Sequence, residues 1–115
     1  MTTLDRYFEL SDLAGHDEAA FQLLIDCFAP AATIETARGD VIQGQPAIAA
    51  FFREFFQRSQ DLKHLWNTRL EGTRICADWV VIGRRSDRSL FSLAGEDVAE
   101  LDAADKIVRL TISFK

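Results

Sequence analysis

The sequence predicts an α+β domain in which three N-terminal helices pack on a curved antiparallel sheet and enclose an apolar pocket. Three observations predict it. Apolar residues recur at helical spacing up to about residue 59 and at alternating spacing after residue 61. Every break between the later apolar runs is short, as antiparallel hairpins require. Helices first and strands last is an α+β order rather than a βαβ order.

The elements follow in chain order. Helix one spans Thr3–Ala14, with Leu4, Tyr7, Phe8 and Ser11 on one stripe. Thr2 or Thr3 caps it, and Asp5 suits its positive first turn. Gly15 ends it, and Asp17 caps a second helix whose apolar face is Phe21, Leu24, Ile25 and Phe28. Pro30 is expected to stop that helix. A short strand, Thr33–Ala37, then turns at Arg38-Gly39-Asp40 and pairs back through Val41–Gln43. Pro46 opens a third helix, Ala47–Ser59, whose Phe51, Phe52, Phe55 and Phe56 imply deep burial. Strands follow at Leu62–Leu70, Ile75–Arg85, Leu90–Leu101 and Ile107–Phe114. Helices cover one face of such a sheet, so the other face is solvated or meets a partner.

Composition narrows the class of function. A chain of 115 residues, 48% hydrophobic, makes one domain, 1–115, with a real core. The net charge is −5, with nine acidic and four basic residues before position 61 and nine of each from position 61 on. No basic patch suggests nucleic acid or an anionic membrane. Cys27 and Cys76 match no metal-ligand spacing, and His16 and His64 are the sole histidines. Two buried free thiols are expected, with no metal and no cofactor. The N-terminal residues lack a signal-peptide layout, and a cytoplasmic location is expected.

Several stretches together resemble the nuclear transport factor 2-like superfamily, in its SnoaL-like and ketosteroid-isomerase-like branch. They are Phe28-Ala29-Pro30-Ala31-Ala32-Thr33-Ile34-Glu35, Gly44-Gln45-Pro46-Ala47-Ile48, Ala77-Asp78-Trp79, Gly95-Glu96-Asp97-Val98, and Asp105-Lys106-Ile107 leading to Leu110 and Phe114. The resemblance covers essentially the whole chain. It implies a cone open at its wide end, and often a homodimer through the outer sheet face. Relatives include isomerases, dehydratases, cyclases, epoxide hydrolases and binding proteins. Asp97 falls where the isomerases keep a carboxylic acid in the oxyanion hole. Thr36 stands where they keep the general base, and Ala31 where relatives often have an acid. A hydroxyl without a neighbouring base cannot accept a proton near neutrality.

Alternation puts Gly95, Asp97, Ala99 and Leu101 on the inward face. Burial there raises the carboxyl pKa and fits Asp97 for acid–base work. Tyr7 on the helix-one stripe offers a phenol to a ligand carbonyl or to Asp97. His64, Trp66 and Thr68 alternate onto one strand face, and if that face is inward His64 is the one plausible side chain titrating near neutrality. Asp97, Tyr7 and His64 are the catalytic candidates. Trp66, Trp79, Phe51, Phe55 and Phe28 are candidate pocket wall. Glu35, Asp12, Asp102 and Asp105 are expected in solvent.

Three functions compete: binding of a small, largely apolar organic ligand, cofactor-independent isomerase, dehydratase or cyclase chemistry with Asp97 as acid/base, and a dimeric structural or interaction module. The catalytic reading requires Asp97 near Tyr7 or His64. The third requires a filled interior.

Overall fold

A computed structural model describes all 115 residues. Its elements are α1 (Thr3–Ala14), α2 (Glu18–Ile25), β1 (Phe28–Glu35), β2 (Val41–Gln43), α3 (Gln45–Gln57), β3 (Ser59–Glu71), β4 (Arg74–Arg85), β5 (Leu90–Leu101) and β6 (Ile107–Phe114). The six strands form one sheet in the order β2-β1-β6-β5-β4-β3, with the helices on one face. The result is the expected α+β cone. No helix is long and apolar enough to cross a membrane.

Local chemistry accounts for most boundaries. Thr2 and Asp5 close a reciprocal capping box at the start of α1, and Asp17 caps α2 through the Ala20 amide. The β1–β2 turn uses Gly39 at φ +89°, a backbone region that L-residues avoid.

Three boundaries differ from expectation. Pro30 does not stop α2. That helix ends at Ile25, with Asp26 as its C-cap, and Phe28 already begins β1. Pro30 lies in that strand, where β1 and β6 pair irregularly between Phe28 and Thr33, so its missing N–H breaks no regular ladder. Helix α3 stops at Gln57, and Ser59 opens β3 by pairing with Arg85. The last four strands form the expected meander, but β1 pairs with β6 in parallel. β2, α3, β3, β4 and β5 stand between these two strands in sequence order, and that long connection makes a parallel pair feasible.

The core lies between the helices and the inner sheet face. Ile34, Leu110, Ala99 and Ile75 oppose one another in a row across β1, β6, β5 and β4, and all are buried. Leu4, Phe8, Phe21, Leu24 and Ile48 close over them from the helices. Each such side chain stabilises the fold by roughly 1.5–3 kcal/mol relative to exposure. Cys27 and Cys76 are buried free thiols. The outer sheet face carries ion pairs instead. Glu35 points outward, as expected, and pairs with Arg109, while Arg69 is ringed by Glu71, Asp78 and Glu96.

Candidate functional site

Helix α1 docks on β3 through a ladder of side chains. Asp5, Phe8 and Asp12 share one flank of the helix, three and four residues apart. On β3, Thr68, Trp66 and His64 share the inner face at period two. Asp5 Oδ1 accepts hydrogen bonds from Trp66 Nε1 (2.9 Å) and Thr68 Oγ1 (3.2 Å). Phe8 stacks on Trp66 at 5.2 Å between centroids and meets His64 at 5.5 Å. Asp12 accepts from the His64 main-chain N–H at 3.0 and 3.2 Å, and pairs with His64 Nδ1 at 2.7 Å.

Asp12 was expected in solvent. Its side chain is instead 12% exposed, because β3 runs alongside the end of α1 and offers it two donors. Asp5 does more than favour the first turn. Burial pushes its carboxyl pKa up, but bonds from Thr2, Trp66 and Thr68 outweigh this and leave it below the usual value. The signal that could have found both acids is their seven-residue spacing, which sets them on the same flank of the apolar stripe.

The second half of the site lies on β4 and β5. Asp97 opposes Ala77, and Trp79 opposes Gly95. The Trp79 indole crosses β5 over Gly95, and its Nε1 donates to Asp97 Oδ1 at 2.8 Å. Asp97 is 2% exposed. Burial drives its carboxyl pKa up to about 7, against the lowering pull of the Trp79 bond, and nearby Glu96 adds a smaller upward push. Tyr7 is buried on α1, and its phenol is pushed well above the ordinary value, first by burial and then by Asp97.

The three catalytic candidates thus all face inward, but they are not bonded to one another. Asp97 bonds to Trp79, not to Tyr7 or His64. His64 opposes Val81 on β4, while Asp97 opposes Ala77, so Trp79 lies between them in register. The two rings of His64 and Trp79 are 6.4 Å apart. No sealed side-chain nitrogen or oxygen in the protein lacks a hydrogen-bond partner. Tyr7 Oη, Asp97 Oδ2 and His64 Nε2 bond to nothing in the protein, and none of the three is completely sealed.

The expected pocket wall is partly redirected into packing. Trp66 and Trp79 spend their N–H groups on Asp5 and Asp97. Phe28 is buried on β1 against Tyr7 and Phe52. Phe51 and Phe55 are half-buried beside Phe52 and Phe56. Thr36, where the resemblance places the isomerase base, uses its hydroxyl to accept the Asp40 N–H inside the β1–β2 turn. A concavity of about 590 Å³ lies away from these groups, at the far ends of β3, β4 and β5, where Leu62, Ile82, Leu90 and Phe91 meet Asp61 and Arg84. It is open and shares no residue with Asp97, Tyr7 or His64. No group of three or more potential metal ligands occurs.

The family model for the SnoaL-like domain matches residues 4–110. The chain belongs to the SnoaL-like family. Its fold is similar to that of an NTF2-like protein of unknown function from Exiguobacterium sp. 255-15, with 38% identity, 99% of this chain and 98% of that one covered, and a TM-score of 0.89. It is also similar to SalBIII, an epoxide hydrolase/cyclase-like enzyme with a role in pyran ring formation in polyether salinomycin (17% identity, 98% and 88% covered, TM-score 0.82). A hypothetical protein with a ketosteroid isomerase-like fold from Catenulispora acidiphila DSM 44928, in complex with trimethylamine, matches at 13% identity, 100% and 88% covered, and TM-score 0.82. The last two likenesses concern the fold alone. No curated protein matches the chain. In this SnoaL-like protein Asp97 faces inward, and the Thr36 hydroxyl is bound in the β1–β2 turn.

Proposed function

We propose that this SnoaL-like protein binds a small, largely apolar organic molecule inside the cone, and that Tyr7 and Asp97 hold its carbonyl or hydroxyl oxygen. The observation that carries the reading is Asp97: buried, bonded once, and with a carboxyl whose pKa of about 7 keeps a proton available. A neutral carboxyl carries one O–H donor and a phenol carries another, so the two together offer two donors to one oxygen. The surrounding Phe28, Phe52 and Trp79 suit an apolar body.

The test uses 2-tetralone, a two-ring ketone, read by quenching of the two tryptophans. Saturable quenching is expected, weakened about fivefold to tenfold in Tyr7→Phe and in Asp97→Leu, the loss of roughly one hydrogen bond each. Equal affinity in both variants and the parent protein would sink the reading.

A second reading, acid–base turnover with Asp97 as the acid, gains support from the same pKa, since a group poised near the working pH both gives and takes a proton.

The outer sheet face supports self-association. Leu65, Val80, Ile82 and Leu90 are exposed there without cover. Replacing Val80 with Asp should convert a dimer to a monomer in sedimentation velocity at micromolar concentration. A parent protein that is already monomeric would refute the dimer.

A further inference from the structure

We infer that the outer face of β3, β4 and β5 carries a ligand site of its own, and that this site takes one amphipathic anion, an alkyl chain ending in a carboxylate. The site shares no residue with the cone interior.

Strand register builds it. On the outer face Asp61, Arg84 and Leu90 oppose one another across the three strands, and Lys63, Ile82 and Ser92 form the next row. Leu62, Gly83 and Phe91 lie between these rows and face inward. The Phe91 ring packs where a Gly83 side chain would stand. Bare backbone is therefore left between the two outer rows. It forms the floor of the concavity of about 590 Å³.

The apolar groups of this face form a line. Leu90, Ile82 and Leu65 step across β5, β4 and β3, one strand and one row at a time, and each is more than half exposed. Strands about 4.8 Å apart, rising about 3.3 Å per residue, make the line roughly 16 Å long, the reach of an extended chain of about twelve carbons. Val80, opposite Leu65, widens its far end. Contiguous exposed side chains of this size mark a contact site.

Charge selects the head group. The sequence has no basic run, yet folding gathers Arg58, Lys63, Arg84, Arg85 and Arg88 at one end of the sheet. These are five of the 13 basic residues of an acidic chain, and the acids among them are Glu54, Asp61 and Asp87. Asp87 is held by Ser89 in the β4–β5 turn, and Glu54 pairs with Arg58. Lys63 and Arg84 border the concavity itself. Lys63 stands 3.5 Å from Asp12 and Arg84 3.7 Å from Asp61, both longer than a charge-assisted hydrogen bond. Asp12 already bonds to His64 twice over, through its main-chain N–H and its ring. Both cations therefore keep donors for a carboxylate, and Ser92 on the same rim offers a hydroxyl.

Shape separates this occupant from two others. A bilayer is entered by apolar groups that project beyond the polar ones, whereas here the floor is recessed between two rows that carry the charges. A second copy would cover Leu65, Val80 and Ile82, so it and the anion exclude each other.

The experiment titrates sodium dodecanoate, below its micelle concentration, into the full chain by isothermal titration calorimetry. One molecule per chain is expected. Dodecyltrimethylammonium, with the same chain and the opposite charge, should bind at least about tenfold more weakly. Arg84→Gln and Lys63→Gln should each weaken dodecanoate about threefold, the loss of one exposed charge pair. Ile82→Asp should weaken it about tenfold or more, because apolar contact is lost and a like charge is added. All three side chains stand in solvent, so the variants keep the fold, which circular dichroism checks. Saturating 2-tetralone should not displace dodecanoate. Displacement, or unchanged affinity in Ile82→Asp, would place the chain in the cone and overturn the outer site. Equal affinity for the cationic amphiphile would mean adventitious detergent binding and overturn it too. No binding of dodecanoate would overturn it and leave the cone reading standing, as would sedimentation with phosphatidylglycerol vesicles by a protein that ignores free dodecanoate. A dimer that persists at dodecanoate saturation would show that a second copy and the anion do not share the stripe, and would likewise overturn it.

Discussion

Gly95→Ala is expected to destabilise the protein by about 3 kcal/mol or more, beyond the ordinary cost of overpacking. The new Cβ would stand 2.3 Å from the Ser113 carbonyl oxygen and 2.4 Å from Trp79 Cζ2. The first contact is backbone of the neighbouring strand β6, which cannot swing aside without breaking its pairing with β5. The second forces the indole off β5 and takes Nε1 away from Asp97. The damage should therefore reach the site as well as the core. Urea unfolding at constant pH measures the first effect, and tryptophan emission shifted to longer wavelength reports the second. A variant within about 1 kcal/mol of the parent, with unchanged emission, would refute the argument. Gly83 is a useful comparison, because its added Cβ would strike the Phe91 ring at 2.5 Å, and that half-buried ring lies nearer the edge of the core. A smaller loss is expected there.

Asp97 should make stability fall as pH rises from about 4 to 7. The unfolded carboxyl releases its proton near 3.8, whereas the folded one holds it to about 7. Over that interval the folded state binds more protons, so unfolding gains from every rise in pH. The stabilisation is fully present below the unfolded value and is lost as pH passes the folded one. A displacement of this size corresponds to about 4 kcal/mol. Asp97→Asn keeps an oxygen that can accept the Trp79 N–H and never ionises. Its stability should lack this fall and exceed that of the parent once the pH is above the folded value. Parallel stability curves for the two proteins would refute a raised Asp97 pKa.

Both predictions concern Asp97 and its neighbours, which were only half legible beforehand. Alternation along β5 correctly turned Gly95, Asp97 and Ala99 inward, because a strand with one buried face leaves no freedom of register. The same alternation put His64, Trp66 and Thr68 on one face of β3, and the structure turned that face inward. Capping at Thr2 and Asp17 was legible too, since it depends on residues three positions away.

The partners were not legible. Asp12 reads as a solvated acid near the unfavourable end of a helix, because its two donors belong to a residue 52 positions later. Trp79 reads as pocket wall, because nothing local shows that Gly95 leaves room for its indole or that Asp97 waits beyond it. Pro30 reads as a helix stop, because its tolerance in β1 depends on irregular pairing with β6, a strand from the far end of the chain. The parallel sense of that pair is hidden for the same reason.

By itself, then, the sequence determined the element order, the inward faces and the residue types available to the interior, including one carboxyl, one phenol and one imidazole. Periodicity and capping carry that information, and both act over a few residues. Only the tertiary structure decided that Asp12 aims the imidazole, that Trp79 holds Asp97 and separates it from His64, and that Thr36 is occupied in a turn. Those outcomes depend on which strands lie side by side, and contacts between residues distant in the chain exist only once the sheet has closed against the helices.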